Sequence, residues 1–165
     1  MNRIYLDYSA TTPLAPEVFE AMRLYLTEHF GNASSIHGFG REAKVAVDAA
    51  REKLAAALGA QPQEIAFTSG GTEAGNLAIF GVAGTFSEPR HIVTSRIEHP
   101  CVLNSCREVE KNGWQVTYLE PEATGMISVQ AVAEAIRADT VLISIMHANN
   151  EVGTINPIAD LAKLA

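Results

Sequence analysis

The sequence has 165 residues, of which 47% are hydrophobic and 19% are charged, and its formal net charge is −7. This composition is typical of a globular α/β protein rather than a disordered chain, and the acidic balance argues against a nucleic-acid partner, which requires a basic surface. No apolar stretch approaches the roughly 20 residues of a membrane-spanning helix, no signal peptide is recognisable, and two cysteines are too few for a disulfide scaffold, so we expect a cytoplasmic protein without a membrane partner.

The first third of the chain is predicted to be mainly helical. Apolar residues recur at helical spacing over 16–28 and again over 41–58, and Gly59 is a typical helix stop. A short apolar run over 64–68 follows Pro62 and indicates a strand. We therefore expect two helices before the first strand of the chain.

Helices and strands alternate in the rest of the chain. The last predicted strand is almost entirely apolar, which indicates burial on both faces of a parallel sheet. Alternation of this kind predicts an α/β fold with a mostly parallel sheet. The final helix has no strand after it, which leaves open both a truncated sheet and a terminal covering helix. The predicted helices cover 72–80, 99–111, 128–137 and a stretch from Pro157, and the predicted strands cover 91–94, 114–119 and 140–146.

A glycine-rich turn over 68–76 separates the first predicted strand from the next helix. Gly70 and Gly71 let the backbone approach an anion, Ser69 and Thr72 add hydroxyl donors, and the free N–H groups of a helix start suit a phosphate. The glycine spacing matches neither the Walker A loop nor the dinucleotide fingerprint. An ordinary strand-to-helix turn with Thr72 as the N-cap stays open as the alternative.

Two further polar loops follow strands of the same predicted sheet, at 96–100 and 147–154. His99 offers a flat ring that can stack on an aromatic cofactor or move a proton, and Asn150 offers both a donor and an acceptor. Each has a structural alternative: His99 can be bonded to backbone at a helix start, and Asn149 and Asn150 are typical of turns. Because ligands bind beyond the carboxyl ends of parallel strands, the three loops together predict a site for a phosphorylated aromatic cofactor. No ligand spacing favours a metal.

Five collinear motifs cover residues 5–13, 30–35 with His37, 67–73 with Asn76, 94–99 and 144–153. Together they resemble the motifs of the cysteine desulfurases, which are fold-type I pyridoxal-phosphate enzymes of the class V aminotransferase group. The chain is most similar to the branch that includes the nitrogen-fixation and general iron–sulfur assembly enzymes. The resemblance implies the large domain of that fold, an incomplete three-layer α/β/α arrangement over 16–165, with 1–15 as an N-terminal segment on the small-domain side.

The resemblance also implies the chemistry of individual residues. Gly71 and Thr72 match positions that bind the phosphate of pyridoxal 5'-phosphate, through backbone N–H and hydroxyl. His99 matches the histidine that stacks on the pyridine ring and assists proton transfers, which makes it the implied catalytic residue. Asn150 matches the asparagine near the cofactor's phenolic oxygen and the substrate carboxylate. The implied reaction converts L-cysteine to L-alanine and leaves the sulfur as a persulfide on an enzyme cysteine, in a homodimer that serves a sulfur acceptor or an iron–sulfur scaffold protein.

The lysine, acid and cysteine thiolate that the family's reaction needs have no counterpart among these residues, since the family carries them beyond the motif at 144–153. Cys101 and Cys106 are interpreted as packing residues of a helix. We therefore expect the 165 residues alone to be inactive. Three interpretations stay open: part of a cysteine desulfurase, another class V enzyme such as a selenocysteine lyase or a kynureninase-like enzyme, and a non-catalytic scaffold.

Overall fold

The computed structural model describes residues 3–165. The chain divides into two compact units, one ending at Phe67 and the other covering Thr68–Ala165. The predicted division after residue 15 stays a prediction. None of the helices in the described residues combines the length and the hydrophobicity that crossing a bilayer demands.

The first unit contains two helices, α1 (Pro16–Thr27) and α2 (Gly38–Leu58), close to the ranges predicted. The side chain of His37 caps the start of α2 by accepting a hydrogen bond from the backbone N–H of Gly40 at 3.3 Å. Gly59 ends the helix with φ +67, in the left-handed region that glycine adopts without strain. The cap residues therefore account for both ends of α2.

The predicted strand over 64–68 is wrong. Pro62–Glu64 forms a single 3-10 turn in which the side chain of Glu64 accepts a hydrogen bond from the backbone N–H of Gln61 at 2.7 Å. The next residue, Ile65, has extended backbone angles, but its segment pairs with no strand in the described part of the chain. Extended backbone becomes a strand only when a neighbour supplies the ladder of hydrogen bonds, and an apolar run cannot guarantee that neighbour.

The second unit is built on three parallel strands, β1 (His91–Ser95), β2 (Gln115–Leu119) and β3 (Thr140–Ser144), in the order β2-β1-β3. The central strand β1 is buried along its whole length, whereas β3 is only half-buried. The prediction that the most apolar strand is buried on both faces is therefore wrong for 140–146. Position in the sheet decides burial, and β1 alone has a partner on each side among the described residues.

Four helices cover the two faces of this sheet. Ile92 and Val93 of β1 are wholly buried and, as successive strand residues, point to opposite faces. Ile92 packs in one cluster with residues of the two helices that begin at Gly71 and Pro100. Val93 packs in another cluster with residues of the two helices that begin at Val129 and Ile158. The second unit therefore has three layers, and the predicted α/β class is confirmed. The helices are α3 (Gly71–Gly84), α4 (Pro100–Lys111), α5 (Val129–Ala135) and α6 (Ile158–Leu161).

Two buried polar side chains join elements of the second unit that are far apart in sequence. His91 at the start of β1 is fully buried, with Nδ1 2.7 Å from the hydroxyl of Thr140 and Nε2 2.8 Å from the hydroxyl of Thr117. Burial lowers the pKa of His91, so its ring is neutral and donates through one nitrogen only.

Asn156, between β3 and α6, is the second of these side chains and is 2% exposed. Its Oδ1 accepts a hydrogen bond from the N–H of Ile127, and its Nδ2 donates one to the carbonyl of Met146, both at 2.8 Å. The side chain therefore ties the segment before α5 to the end of the β3 strand.

Candidate active site

A cavity of about 500 Å³ lies within the second unit, beside the carboxyl ends of its strands. Three segments line it: the loop 96–100 after β1, the turn 122–125 after β2 and the loop 149–152 after β3. Its volume is in the range of sites for small ligands and cofactors. The cavity therefore lies where the sequence predicted a ligand, at the carboxyl ends of parallel strands.

His99 lines this cavity and also begins helix α4 as its N-cap residue. Its Nδ1 accepts a hydrogen bond from the backbone N–H of Cys101 at 3.2 Å and lies 3.0 Å from the Sγ atom of the same residue. A neutral ring whose Nδ1 accepts carries its hydrogen on Nε2. The interpretation of His99 as a helix-start residue bonded to backbone is therefore confirmed. The ring stays exposed at the cavity, and its role toward a cofactor stays a prediction.

Asn149 and Asn150 have different roles in the loop after β3. Asn149 is buried, and its Oδ1 accepts hydrogen bonds from the N–H groups of Glu151 at 2.8 Å and Val152 at 2.9 Å, as expected of a turn residue. Asn150 is exposed, lines the cavity and makes no side-chain hydrogen bond within residues 3–165. The structure therefore brings His99 and Asn150 to one cavity, with the amide of Asn150 free.

The turn after β2 forms a wall of the cavity that the sequence analysis did not identify. Gly125 has φ +81, and a Cβ atom there would lie 3.1 Å from the hydroxyl oxygen of Thr154 and 3.2 Å from a methyl group of Val152. The Thr154 hydroxyl donates a hydrogen bond to the carbonyl of Thr124. Gly125 is a visible turn signal in the sequence, but nothing there indicates which loop the turn packs against.

Glu98 is the second residue that the sequence analysis missed. Its side chain is 7% exposed, and its Oε1 accepts hydrogen bonds from the N–H of Met146 at 2.7 Å and the hydroxyl of Ser95 at 2.9 Å. Burial raises the pKa of Glu98, and the two hydrogen bonds oppose that rise. The sequence signal that could have identified Glu98 is the place of its carboxylate in a short loop between a buried strand and a helix.

The turn over 68–73 leads into helix α3, with Gly70 as the N-cap residue. The alternative that Thr72 is the N-cap is therefore wrong. The expectation that Ser69 supplies a free donor is also wrong, because its N–H and its hydroxyl both donate to Oε2 of Glu73, at 2.7 and 2.6 Å. Hydrogen bonds from the Ser69 side chain and backbone lower the pKa of Glu73, so this carboxylate is ionised and closes the turn.

Gly71 and Thr72 nevertheless fit a phosphate. Their N–H groups and the Thr72 hydroxyl make no hydrogen bond within the described residues, and both residues are exposed at the start of a 14-residue helix. A Cβ atom at Gly71 would meet no atom within 4 Å, so the surface beside this residue is open. Free donors at the positive end of a helix dipole are what an anion requires.

Gly71 and Thr72 do not line the cavity that His99 and Asn150 share. Helix α3 packs along α4, however, with a Cβ at Gly75 falling 3.2 Å from Cys101 Sγ and the Ser105 hydroxyl donating to Asn76 at 2.6 Å. The second turn of α3 therefore lies against the first two turns of α4. The phosphate donors are about one helical turn along α3 from its contact with the residues after His99.

The two cysteines differ in environment. Cys106 is fully buried, and burial, together with the nearby charges of Glu110 and Glu98, raises the pKa of its thiol to about 11. It is a packing residue of α4, as predicted. Cys101 is half-buried between His99 and Gly75. Within residues 3–165 no group of three or more His, Cys, Asp or Glu side chains is arranged to hold a metal ion.

The family model described as aminotransferase class-V matches residues 4–165. The chain belongs to this family. Over 165 residues it is 55% identical to the cysteine desulfurase IscS of Dictyoglomus turgidum, covering 99% of this chain and 42% of that relative. It is 50% identical to a putative cysteine desulfurase, IscS 1, of Bacillus subtilis, covering 99% of this chain and 44% of the relative.

Solved structures give the same result for the class-V fold. A structure titled "SspA in complex with cysteine" is 48% identical with a TM-score of 0.92, and the match covers 98% of this chain and 47% of that one. A NifS-like protein is 40% identical with a TM-score of 0.93, covering 99% and 45%. The predicted resemblance is therefore confirmed. The chain spans less than half the length of these relatives and corresponds to their N-terminal part.

Proposed function

We propose that this chain forms the cofactor-contacting part of a pyridoxal-phosphate-dependent cysteine desulfurase. The observation that carries the proposal is the cavity that the exposed ring of His99 and the free amide of Asn150 both line. Relatives that are named cysteine desulfurases share half or more of its residues, which supports the substrate L-cysteine and the products L-alanine and an enzyme-bound persulfide.

His99 is proposed as the catalytic residue and as the stacking partner of the cofactor ring. Pyridoxal phosphate, when bound, supplies an electron-withdrawing ring that stabilises negative charge at the substrate's α-carbon. In the orientation that the backbone bond at Nδ1 holds, the Nε2–H group donates a hydrogen bond at the cavity. To carry a proton, the ring gives up the bond from Cys101 and takes a hydrogen at Nδ1, so that Nε2 can then accept or release a proton.

Gly71, Thr72 and Asn150 are proposed to bind the cofactor. The N–H groups of Gly71 and Thr72 and the Thr72 hydroxyl donate to the phosphate, which the positive end of the α3 dipole also attracts. The amide of Asn150 donates to a phenolic or carboxylate oxygen at the cavity, so it is proposed to contact the substrate as well.

The proposal extends to the setting of the reaction. We propose a homodimer in the cytoplasm that passes sulfur to an acceptor or an iron–sulfur scaffold protein, with no role for nucleic acid. Both cysteines are free thiols, which is compatible with a reducing compartment. The lysine, acid and thiolate of the chemistry are proposed to come from outside these 165 residues, so the 165 residues alone are expected to be inactive.

The test is an assay of the full gene product that contains these residues, with L-cysteine and pyridoxal phosphate. We expect cysteine-dependent formation of alanine and, with a reductant, of sulfide. His99→Ala should lower kcat by about 10²- to 10⁴-fold, the usual contribution of a positioned acid–base group. His147→Ala is the matched control, because His147 is an exposed histidine in the loop after β3 that does not line the cavity.

Equal rates for the His99 and His147 variants would refute the role of His99. Turnover of selenocysteine or kynurenine with no alanine from cysteine would identify another class V enzyme. A gene product that binds the cofactor without turning over any of these substrates would favour the scaffold interpretation.

A further inference from the structure

The loops that carry His99 and Asn150 are joined by two hydrogen bonds that cross between them. Neither of the residues whose side chains make these bonds has a role in the proposed function. The side chain of Glu98 reaches from the first loop to the backbone of the second, and the side chain of Asn149 reaches from the second loop to the backbone of the first. The two bonds therefore run in opposite directions between the same pair of loops.

Glu98 makes the first of these bonds with one carboxylate oxygen. Its Oε1 accepts from the N–H of Met146, at 2.7 Å, and from the hydroxyl of Ser95. Its Oε2 makes no hydrogen bond within the part of the chain that the structure describes. In that part of the chain, every wholly buried side-chain oxygen does have a partner. Oε2 therefore keeps access to solvent, and Glu98 is itself one of the residues that line the cavity.

Asn149 makes the second bond and also shapes its own loop. Its Nδ2 donates to the carbonyl of Ile97 at 3.0 Å, while its Oδ1 accepts from the N–H groups of Glu151 and Val152. The side chain is 8% exposed, so water cannot readily replace these partners. Loss of the amide would break the bond to the carbonyl of Ile97 that joins the two loops, and would leave the N–H groups of Glu151 and Val152 without their partner in the loop.

We propose that Glu98 and Asn149 are positioning residues that hold the His99 ring and the Asn150 amide at fixed places on the cavity. This inference rests on the proposed function. Each is the immediate chain neighbour of the residue it positions, so a shift at either crossing bond moves the functional side chain directly. Neither residue needs to touch the reacting atoms, and a misplacement of about 1 Å is enough to lower the rate of a positioned reaction strongly.

The experiment compares Glu98→Ala, Glu98→Gln and Asn149→Ala in the full gene product, with Asn112→Ala as a control on an exposed amide. The first measurement is hydrogen exchange at the Met146 amide without cofactor. We expect exchange about tenfold or more faster in Glu98→Ala, which has lost the acceptor, and within about threefold of the original in Glu98→Gln, whose amide oxygen still accepts.

The second measurement is pyridoxal-phosphate affinity together with kcat and KM for cysteine. We expect Glu98→Ala and Asn149→Ala each to weaken cofactor binding about tenfold and to lower kcat at least tenfold. KM should change by less than about threefold in Glu98→Ala, because a misplaced ring harms the reaction more than substrate binding, and should rise further in Asn149→Ala, because Asn150 is proposed to contact the substrate. Glu98→Gln should recover most of both losses. Asn112→Ala should match the original protein.

Three outcomes would overturn the inference. Unchanged exchange and unchanged cofactor affinity in Glu98→Ala would remove the role of the crossing bond. Glu98→Gln as impaired as Glu98→Ala would show that the charge acts rather than the acceptor oxygen. A lower free energy of unfolding in Glu98→Ala and Asn149→Ala with unchanged kcat would show that the two residues have a purely structural role. If the original protein neither binds cofactor nor forms alanine, the proposed function fails, and the exchange measurement alone still tests the two bonds.

Discussion

Replacing Asn156 with alanine removes an amide that serves two buried backbone groups. The side chain is 2% exposed and pairs with the N–H of Ile127 and the carbonyl of Met146, both at 2.8 Å. Each backbone group left without a partner costs about 1–3 kcal/mol, so Asn156→Ala should lower the free energy of unfolding by about 2–6 kcal/mol. That is a large share of the stability of an ordinary domain.

The assay is urea denaturation of the full gene product, followed by circular dichroism, with Asn112→Ala as the matched control. Asn112 is exposed and makes one side-chain bond, to the carbonyl of Glu108 at 3.2 Å, so its loss should cost no more than about 0.5 kcal/mol. A cost for Asn156→Ala as small as that of the control would refute the reasoning. It would mean that the backbone groups of Ile127 and Met146 find other partners.

Two further predictions concern the loops and the thiols. Gly125→Ala should destabilise more than Gly153→Ala. Both glycines have positive φ, which costs alanine about 1–2 kcal/mol, but of the two only Gly125 would place a Cβ against neighbouring atoms, whose displacement adds about 1 kcal/mol. Equal denaturation midpoints for the two variants would contradict the packing of the Gly125 turn against Thr154. At pH 8 a thiol reagent should label Cys101 within the folded protein and leave Cys106 unlabelled, because burial raises the pKa of Cys106 to about 11 and keeps it a neutral thiol. Peptide-resolved mass spectrometry reads both sites, and the same labelling rate at both would contradict the burial of Cys106.

The helices could be predicted closely because their ends are local in sequence. Gly59 marks the end of α2, and Pro100 stands at the first turn of α4, where its missing N–H costs nothing. The strand over 64–68 could not be judged in the same way. Its apolar run shows only that the segment can be buried. A strand also needs a neighbouring strand to bond with, and the described sheet pairs none with this segment.

The candidate site divides in a similar way. His99 and Asn150 stand in polar loops, and the Gly71–Thr72 pair begins the helix after a glycine-rich turn. The composition of these segments indicates ligand chemistry, so the sequence alone predicts these residues. Glu98 could not be assigned in this way, because its partner Met146 lies 48 positions further along the chain. Only the fold brings such residues together, and their types alone suggest an ordinary charged loop.

His91 has a consequence for how the three strands find their alignment. Its two ring nitrogens engage hydroxyls on both neighbouring strands, Thr140 of β3 and Thr117 of β2. A slip of either strand by one residue would turn the hydroxyl to the other face and leave a fully buried imidazole nitrogen without a partner. The observed register satisfies both ring nitrogens at once. The histidine therefore selects the register from which the loops of the cavity begin.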